Sequence, residues 1–160
     1  MMSIDIRQVA AEDIDSIANL SEEGFRQFYQ FDWQANAVAL CEAVVAGRAF
    51  VAVAEAGDEI VGYCNLRAWP AGGWVDQIVV SGGMRRQGVG RALIEAVVRE
   101  AAKRKFWKVS LITSEGDAGT RLFFERCGWE AVGVMKDEIK RGVNGILMSR
   151  IVDYRLHPNP

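Results

Sequence analysis

The chain has 160 residues, 50% of them hydrophobic and 25% charged, and its formal net charge is −2 at pH 7. This length predicts a single domain over residues 1–160 with a substantial core and a flexible tail at 155–160. The charge balance argues against nucleic acid as a partner, and no apolar run reaches the length of a membrane-spanning helix. The N-terminus lacks the features of a signal peptide, and the three cysteines are widely spaced, so we expect free thiols and a cytoplasmic protein without a metal site.

Apolar periodicity and turn residues predict seven strands and four helices. The strands are 4–9, 49–54, 59–67, 74–80, 108–113, 129–134 and 145–152, and the helices are 11–25, 34–46, 89–105 and 117–126. Strand 108–113 follows a helix that itself follows strand 74–80, so these two strands should lie parallel. The expected fold class is therefore α/β (α+β type), a mixed sheet of about seven strands with an antiparallel meander, one parallel βαβ step and about four helices.

The stretch Ser81–Arg91 joins the fourth predicted strand to the third predicted helix and is rich in glycine and arginine. The first N–H groups of a helix lack intrahelical partners and carry the positive end of the helix dipole. Glycines allow an anion to approach the backbone, and Arg85, Arg86 and Arg91 add positive charge. The stretch is therefore predicted to bind an anion, most plausibly a phosphate.

Two common phosphate-binding motifs fit this stretch poorly. Gly83-x-x-x-x-Gly88 has the glycine spacing of the nucleoside triphosphatase loop, but Val89 and Gly90 stand where that motif needs lysine and serine or threonine. Gly88-x-Gly90 opens a dinucleotide fingerprint, but Leu93 occupies the third glycine position. Neither a magnesium–triphosphate site nor a dinucleotide site is favoured.

The pattern Arg85-x-x-Gly88-x-Gly90, after an apolar strand and before Ala92-Leu93-Ile94, resembles the acetyl-CoA loop of the GNAT superfamily of N-acetyltransferases. The element order βααβββαβαββ is also similar to the GNAT fold. The resemblance implies transfer of an acetyl group from acetyl-CoA to a primary amine of a small molecule or peptide. It implies that the cofactor is bound by Ile78, Val79, Val80, Arg85, Arg86, Gln87, Gly88, Val89, Gly90 and Arg91. Dimers are common in the family, and strand 145–152 offers an edge for a homodimer.

A second motif, Asp117-x-x-Thr120-x-x-Phe123-Phe124 followed by Gly128-Trp129, resembles the last helix of the family. Asp117 stands where asparagine often contacts the coenzyme A arm, and Phe124 stands where tyrosine often protonates the leaving thiolate. Both positions are therefore assigned to cofactor binding, and Phe123 to the core. Because Phe124 has no hydroxyl, the thiolate takes its proton from water or from a residue such as Tyr63 or Tyr154, or leaves unprotonated. A module that binds coenzyme A without catalysis is the alternative function.

The acceptor amine is expected near one acidic strand residue and a group of aromatic residues. Alternation along strand 74–80 puts Trp74, Asp76 and Ile78 on one face. Asp76 is a candidate base, an anchor for a cationic amine, or an exposed strand residue. Aromatic and acidic residues that suit a cation, or that only cap the core edge, are Phe28, Tyr29, Asp32, Trp33, Trp69 and Trp74. Aminoglycosides, polyamines, amino acids and protein N-termini all remain open as acceptors.

Overall fold

A computed structural model describes residues 2–159 and contains eight strands and four α-helices. The strands are β1 (Ile4–Gln8), β2 (Ala49–Ala56), β3 (Glu59–Trp69), β4 (Gly72–Trp74), β5 (Ile78–Val80), β6 (Lys108–Ser114), β7 (Glu130–Lys140) and β8 (Val143–Ile151). The helices are α1 (Ile14–Phe25), α2 (Trp33–Val45), α3 (Val89–Lys103) and α4 (Ala118–Arg126). The described chain divides into two compact units, one formed by residues 2–68 with 77–100 and the other by residues 69–76 with 101–159.

In the first unit, β1, β2 and β3 form an antiparallel meander, and β5 pairs antiparallel with the other side of β3. Helix α1 begins after a 3₁₀ turn at Ala11–Asp13, which is the predicted acidic helix start. Helices α1 and α2 bury their apolar faces on these strands, which is how an amphipathic helix is stabilised in a small domain. The core of this unit contains Val9, Ile17, Ala18, Leu20, Ala37, Cys41, Val51, Val53, Tyr63 and Val79.

An ion pair ties β1 to the start of α1. The Arg7 guanidinium donates to both carboxylate oxygens of Asp13, at 2.7 and 2.9 Å, and its Nε donates to Glu55 at 3.2 Å. Asp13 is buried and also accepts a hydrogen bond from the Ala10 N–H at 2.8 Å. The hydrogen bonds from Arg7 lower the pKa of Asp13, and burial opposes this effect. The ion pair of the Asp13 carboxylate therefore stabilises the fold at pH values above the ordinary pKa of an aspartate.

Asp13→Asn is expected to lower the free energy of unfolding by about 2 kcal/mol near neutral pH, because a bidentate ionic contact is replaced by a neutral one. The folded-state pKa of Asp13 is depressed, so its contribution is lost as pH falls through that lowered pKa, and the difference from wild type should narrow in acid. Urea denaturation at neutral and acidic pH measures both effects. Asp58→Asn, the same change in an exposed turn, is the control. If the free energies of unfolding of wild type and Asp13→Asn differ by the same amount at every pH, the Asp13 carboxylate does not stabilise the fold through this ion pair.

In the second unit, β4 pairs parallel with β6, and β8 lies between β6 and β7 with antiparallel pairing on both sides. Helix α4 packs its buried Phe124 against Trp129, with ring centroids 5.5 Å apart. Gly128 follows this helix with φ +83°, a conformation that glycine adopts without strain, and it ends the helix as predicted. The ring of His157 contacts Trp107 at 4.4 Å, so a 3₁₀ turn at Tyr154–Leu156 leads the predicted tail back onto this unit.

The predicted fold class is confirmed, with eight strands in place of about seven, four helices and one parallel strand pair. The single strand predicted at 74–80 is wrong, because residues 75–77 leave strand geometry and separate β4 from β5. Only β4 is parallel to β6, through the pairs Gly73–Val109 and Trp74–Ser110. No helix within residues 2–159 is long and apolar enough to cross a membrane.

The prediction that strand 145–152 is a free edge is also wrong. Strand β8 is paired on both sides, and β7 is the last strand in this unit's pairing order. The pairing of β7 is irregular after Ala131 and again after Met135, and Asp137 has φ 55°. Bulges and charged side chains on an edge strand disfavour pairing with another chain. The edge that the sequence offered for a homodimer is therefore not available.

Candidate functional site

Strand β5 is hydrogen-bonded to β3 along one edge. The backbone N–H and carbonyl groups that do not face β3 lie along its opposite edge. The Gln77 N–H donates to Asn65 Oδ1 at 2.8 Å, and the Ser81 N–H donates to the Val61 carbonyl at 2.8 Å, so both point toward β3. Backbone N–H groups alternate in direction along a strand, so the N–H groups of Ile78 and Val80 point to the opposite edge. Of the three residues predicted to offer a backbone N–H to the cofactor, only Ile78 and Val80 therefore have an N–H that points away from β3.

The loop after β5 brings a helix N-terminus and open space together. A 3₁₀ turn at Gly82–Met84 is followed by Arg86 at φ 61° and Gly88 at φ +84°. Helix α3 starts at Val89, and the Ala92 N–H makes the bond to the Gly88 carbonyl at 3.0 Å. The N–H groups of Val89 and Gly90 precede this bond in the first turn of α3. A Cβ at Gly88 would have no atom within 4 Å, so a ligand can approach the backbone here.

The side chains of the loop carry positive charge at the surface. Arg85 is exposed, and its Nε donates to the Val80 carbonyl at 3.2 Å, which holds the guanidinium beside the end of β5. Gln87 donates to the Gly83 carbonyl at 2.9 Å and closes the turn. Arg86 and Arg91 are also exposed. Exposed arginines, a left-handed glycine and a helix N-terminus fit a polyphosphate group.

Helix α1 packs closely on β5 and on the loop, through two residues that sequence reasoning missed. The Glu23 carboxylate accepts a hydrogen bond from the Gly82 N–H at 3.1 Å. At Gly24, an added Cβ would lie 3.1 Å from Val79 Cγ1, so only glycine lets the helix come this near to β5. A glycine within a helical pattern is the signal that was available, since it often marks close packing.

A polar network connects helices α1 and α2 to Gln77, the residue before β5. Ser21 Oγ lies 2.6 Å from Tyr63 Oη, which donates to Gln77 Oε1 at 2.6 Å. Gln77 Nε2 donates to Asn36 Oδ1 at 3.0 Å, and Asn36 Nδ2 donates to Gln77 Oε1 at 3.2 Å. Burial raises the pKa of Tyr63 above its ordinary value, while the Ser21 hydrogen bond lowers it. Tyr63 is fully buried and its hydroxyl is engaged by Ser21 and Gln77, which disfavours it among the alternative proton donors for the thiolate.

The aromatic residues of the α1–α2 connection form a continuous cluster. Phe25 stacks on Trp33 with centroids 5.9 Å apart, and Phe31 meets the Trp33 ring edge-on at 5.5 Å. Tyr29 contacts Phe28, Phe31 and Phe25 at 6.1 to 6.5 Å. Phe28 and Phe31 are 48% and 66% exposed. The predicted residues Phe28, Tyr29 and Trp33 therefore gather around one exposed aromatic surface, which we call the aromatic cluster and which includes Phe25 and Phe31.

Asp32, at the start of α2, has a structural role in this region. Its Oδ1 accepts a hydrogen bond from the Ala35 N–H at 2.9 Å and caps the helix. The sequence predicted that Asp32 contacts the acceptor amine. In the structure its carboxylate caps α2.

The remaining predicted residues belong to the second unit. Asp76 is exposed and lies in the interruption between β4 and β5, so the alternation that grouped it with Trp74 and Ile78 does not hold. Trp74 is half-buried and contacts Trp69 with centroids 4.9 Å apart.

The two motif positions on α4 also behave differently from expectation. Asp117 caps the helix, accepting from the Thr120 N–H at 3.0 Å and from the Thr120 hydroxyl at 2.6 Å. Phe124 is 2% exposed and packs between Phe123 and Trp129, whereas Phe123, predicted for the core, is half-buried. Burial leaves Phe124 little surface for the predicted cofactor contact.

Comparison with known proteins agrees with this geometry. A family model described as "Acetyltransferase (GNAT) family" matches residues 14–129. A protein from Desulfovibrio desulfuricans assigned to the GNAT family is 24% identical with a TM-score of 0.82, and the match covers 94% of this chain and 99% of that one. A search of curated protein sequences gave no match.

Two further solved structures share the fold. An aminoglycoside 6'-N-acetyltransferase complexed with coenzyme A is 16% identical with a TM-score of 0.80, covering 98% of this chain and 99% of that one. The ribosomal-protein-S18-alanine N-acetyltransferase from Escherichia coli is 16% identical with a TM-score of 0.76, covering 94% and 95%. The family model spans most of the chain and includes the loop, α3 and α4, and on this evidence the protein belongs to the GNAT family of acetyltransferases.

Proposed function

We propose that this protein transfers the acetyl group of acetyl-CoA to a primary amine of a small molecule or peptide. The observation that carries the proposal is the loop at Gly88, where open space, left-handed backbone and the first turn of α3 coincide. The related aminoglycoside enzyme was crystallised with coenzyme A, which supports the same cofactor here. The three cysteines are buried and form no disulfide, which suits a reducing compartment, and we propose the cytoplasm.

Acetyl-CoA, when bound, supplies an acetyl group activated as a thioester. The N–H groups of Val89 and Gly90 and the side chains of Arg85, Arg86 and Arg91 are proposed to hold its phosphates. The N–H group of Ile78 or Val80 is proposed to donate a hydrogen bond that polarises a carbonyl, as oxyanion-type donors do. Asp76 is proposed to accept the proton of the acceptor amine, which must be neutral to attack.

Calorimetric titration with acetyl-CoA tests the cofactor assignment, and release of free thiol with a panel of amines tests turnover. We expect saturable micromolar binding and steady thiol release with at least one amine class. Failure to bind at millimolar acetyl-CoA would overturn the proposed function. Binding without turnover on every amine would instead support a module that binds coenzyme A and does not catalyse.

The acceptor is proposed to contact the aromatic cluster, since exposed aromatic surface of this kind marks a binding region. Trp69 and Trp74 of the second unit remain proposed acceptor contacts as well. Related enzymes act on an aminoglycoside or on a ribosomal-protein alanine. The aromatic cluster favours an acceptor that presents an apolar or cationic group beside its amine, through packing and cation–π contacts.

Phe31→Ala is expected to raise the acceptor KM about fivefold to tenfold, equivalent to about 1 kcal/mol of lost contact, with acetyl-CoA affinity unchanged. Its exposed ring contributes little to the core, so the melting temperature should change little. Steady-state kinetics with the best amine of the panel measures the effect. Val134→Ala, which removes a side chain of similar exposure on β7, is the control. An unchanged acceptor KM would mean that the ring only covers the core edge.

A further inference from the structure

Gln77 is held by hydrogen bonds at both its backbone and its side chain. Its N–H donates to Asn65 Oδ1 at 2.8 Å, and its carbonyl accepts from the Asn65 N–H at 3.2 Å. Its side-chain amide makes three further contacts, one to Tyr63 and two to Asn36. The partners come from β3 and α2, and Ser21 of α1 extends the network beyond Tyr63.

Such a network is a costly way to fill the interior. A buried polar group that loses its partner costs free energy, and apolar side chains of similar volume often give equal stability. What a fully bonded network provides is a single fixed arrangement of the groups it joins. Here, Tyr63 and Ser21 are fully buried while Asn36 and Gln77 are half-buried, so the network runs from the core to the first residue before β5.

The position that this network fixes lies next to the proposed backbone donors of β5. Gln77 directly precedes Ile78, and the side chain of Asn65 takes the place of a backbone ladder partner for the Gln77 N–H. The antiparallel pairs of β5 with β3 set which N–H groups of β5 face β3, and this contact continues the same pattern to Gln77. The Asn36 contact ties the same residue to α2, the helix that carries Trp33 of the aromatic cluster.

We propose that the Gln77 side chain is a positioning group, which fixes the outer-edge N–H groups of Ile78 and Val80 relative to α2. The proposal rests on the proposed acetyltransferase function. Small displacements of groups that orient a reaction lower the rate strongly even when binding is preserved. Loss of the Gln77 amide should therefore reduce kcat and leave the cofactor loop, which begins beyond Ser81, able to bind acetyl-CoA.

The test compares Gln77→Ala with wild type, using thiol release at saturating substrates and calorimetry with acetyl-CoA. We expect kcat to fall by about tenfold to a hundredfold, with the acetyl-CoA Kd changed by less than about twofold. Gln77→Glu keeps an acceptor for Tyr63 but loses the donor to Asn36, and should be intermediate. In a double-mutant cycle, adding Asn36→Ala to Gln77→Ala should cost little more, because the two residues share their hydrogen bonds.

Ser149→Ala provides the stability control. It removes a buried hydrogen bond to Ser110, at 2.8 Å between β6 and β8, and should lower the melting temperature without lowering kcat. A Gln77→Ala kcat within about twofold of wild type would overturn the proposal, as would equal kcat losses in both variants at matched loss of stability. Should Gln77→Ala fail to fold, Asn36→Ala carries the same test with a smaller expected drop. Absence of turnover in wild type would overturn the proposed function itself.

Discussion

Gly88→Glu is expected to abolish acetyl-CoA binding while leaving the protein folded. A side chain at this position points into open space, where no atom lies within 4 Å of the added Cβ, so it meets the ligand and not the core. The new carboxylate would stand at the start of α3, where the helix dipole and the arginines favour anions. Two like charges about 4 Å apart repel by about 4 kcal/mol at the effective dielectric constant near a protein surface. The affinity for acetyl-CoA should fall by on the order of a hundredfold or more.

The matched control for this substitution is Gly57→Glu. Gly57 also has a left-handed backbone, φ +63°, and open space at its Cβ, but it lies in the turn between β2 and β3. Both variants carry the same charge and a similar backbone strain of about 1 kcal/mol. Calorimetry should detect normal acetyl-CoA binding by Gly57→Glu and none by Gly88→Glu, with comparable melting temperatures. Equal affinity of the two variants for acetyl-CoA would show that the loop at Gly88 does not bind the cofactor.

The place of the loop between β5 and α3 was predictable because its signals are local. Glycine at position 88 and arginines at positions 85, 86 and 91 act through the backbone and charges of one short segment, so their order in the sequence is enough. The helix that follows was predictable for the same reason, since its apolar stripe repeats with helical period. The parallel pairing of β4 with β6 was also predictable, because two strands joined through a helix usually lie parallel.

The interruption at residues 75–77 was not predictable from alternation. Val75 is buried, Asp76 exposed and Gln77 half-buried, a pattern that a continuous strand also produces. What ends the strand geometry is tertiary: Asn65 and Tyr63 on β3 and Asn36 on α2 supply the hydrogen bonds that hold Gln77. Side-chain partners separated by 12 to 41 positions leave no periodic signal.

The family motif on α4 gave correct spacing and a partly wrong orientation. Gly128 and Trp129 occupy the turn and core positions expected of them, but Phe124 takes the buried place and Phe123 the half-buried one. With no hydroxyl to keep near solvent, the Phe124 ring loses nothing by packing against Trp129. Tyr63 does carry a hydroxyl, and it packs in the core because that hydroxyl bonds to buried Ser21 and half-buried Gln77. In both cases the presence or absence of the hydroxyl, together with the partners around the ring, decides the role of the side chain.

Asp76→Asn is expected to lower kcat by about a hundredfold with little change in acetyl-CoA affinity, if the carboxylate accepts the proton of the acceptor amine. General-base catalysis contributes about a hundredfold to ten-thousandfold in enzymes, and asparagine keeps the shape while losing the basicity. Asp76 is exposed and lies directly before Gln77, outside the strands, where an incoming amine can reach it from solvent.

Kinetic parameters separate the three roles open to Asp76. A base gives a low kcat with a nearly unchanged acceptor KM, whereas an anchor for a cationic amine gives a raised acceptor KM with kcat retained. Asp58→Asn, on the exposed turn between β2 and β3, controls for the loss of one negative charge. A variant that matches this control at every pH would show that Asp76 has neither role. In that case a water molecule is the proposed acceptor of the amine proton.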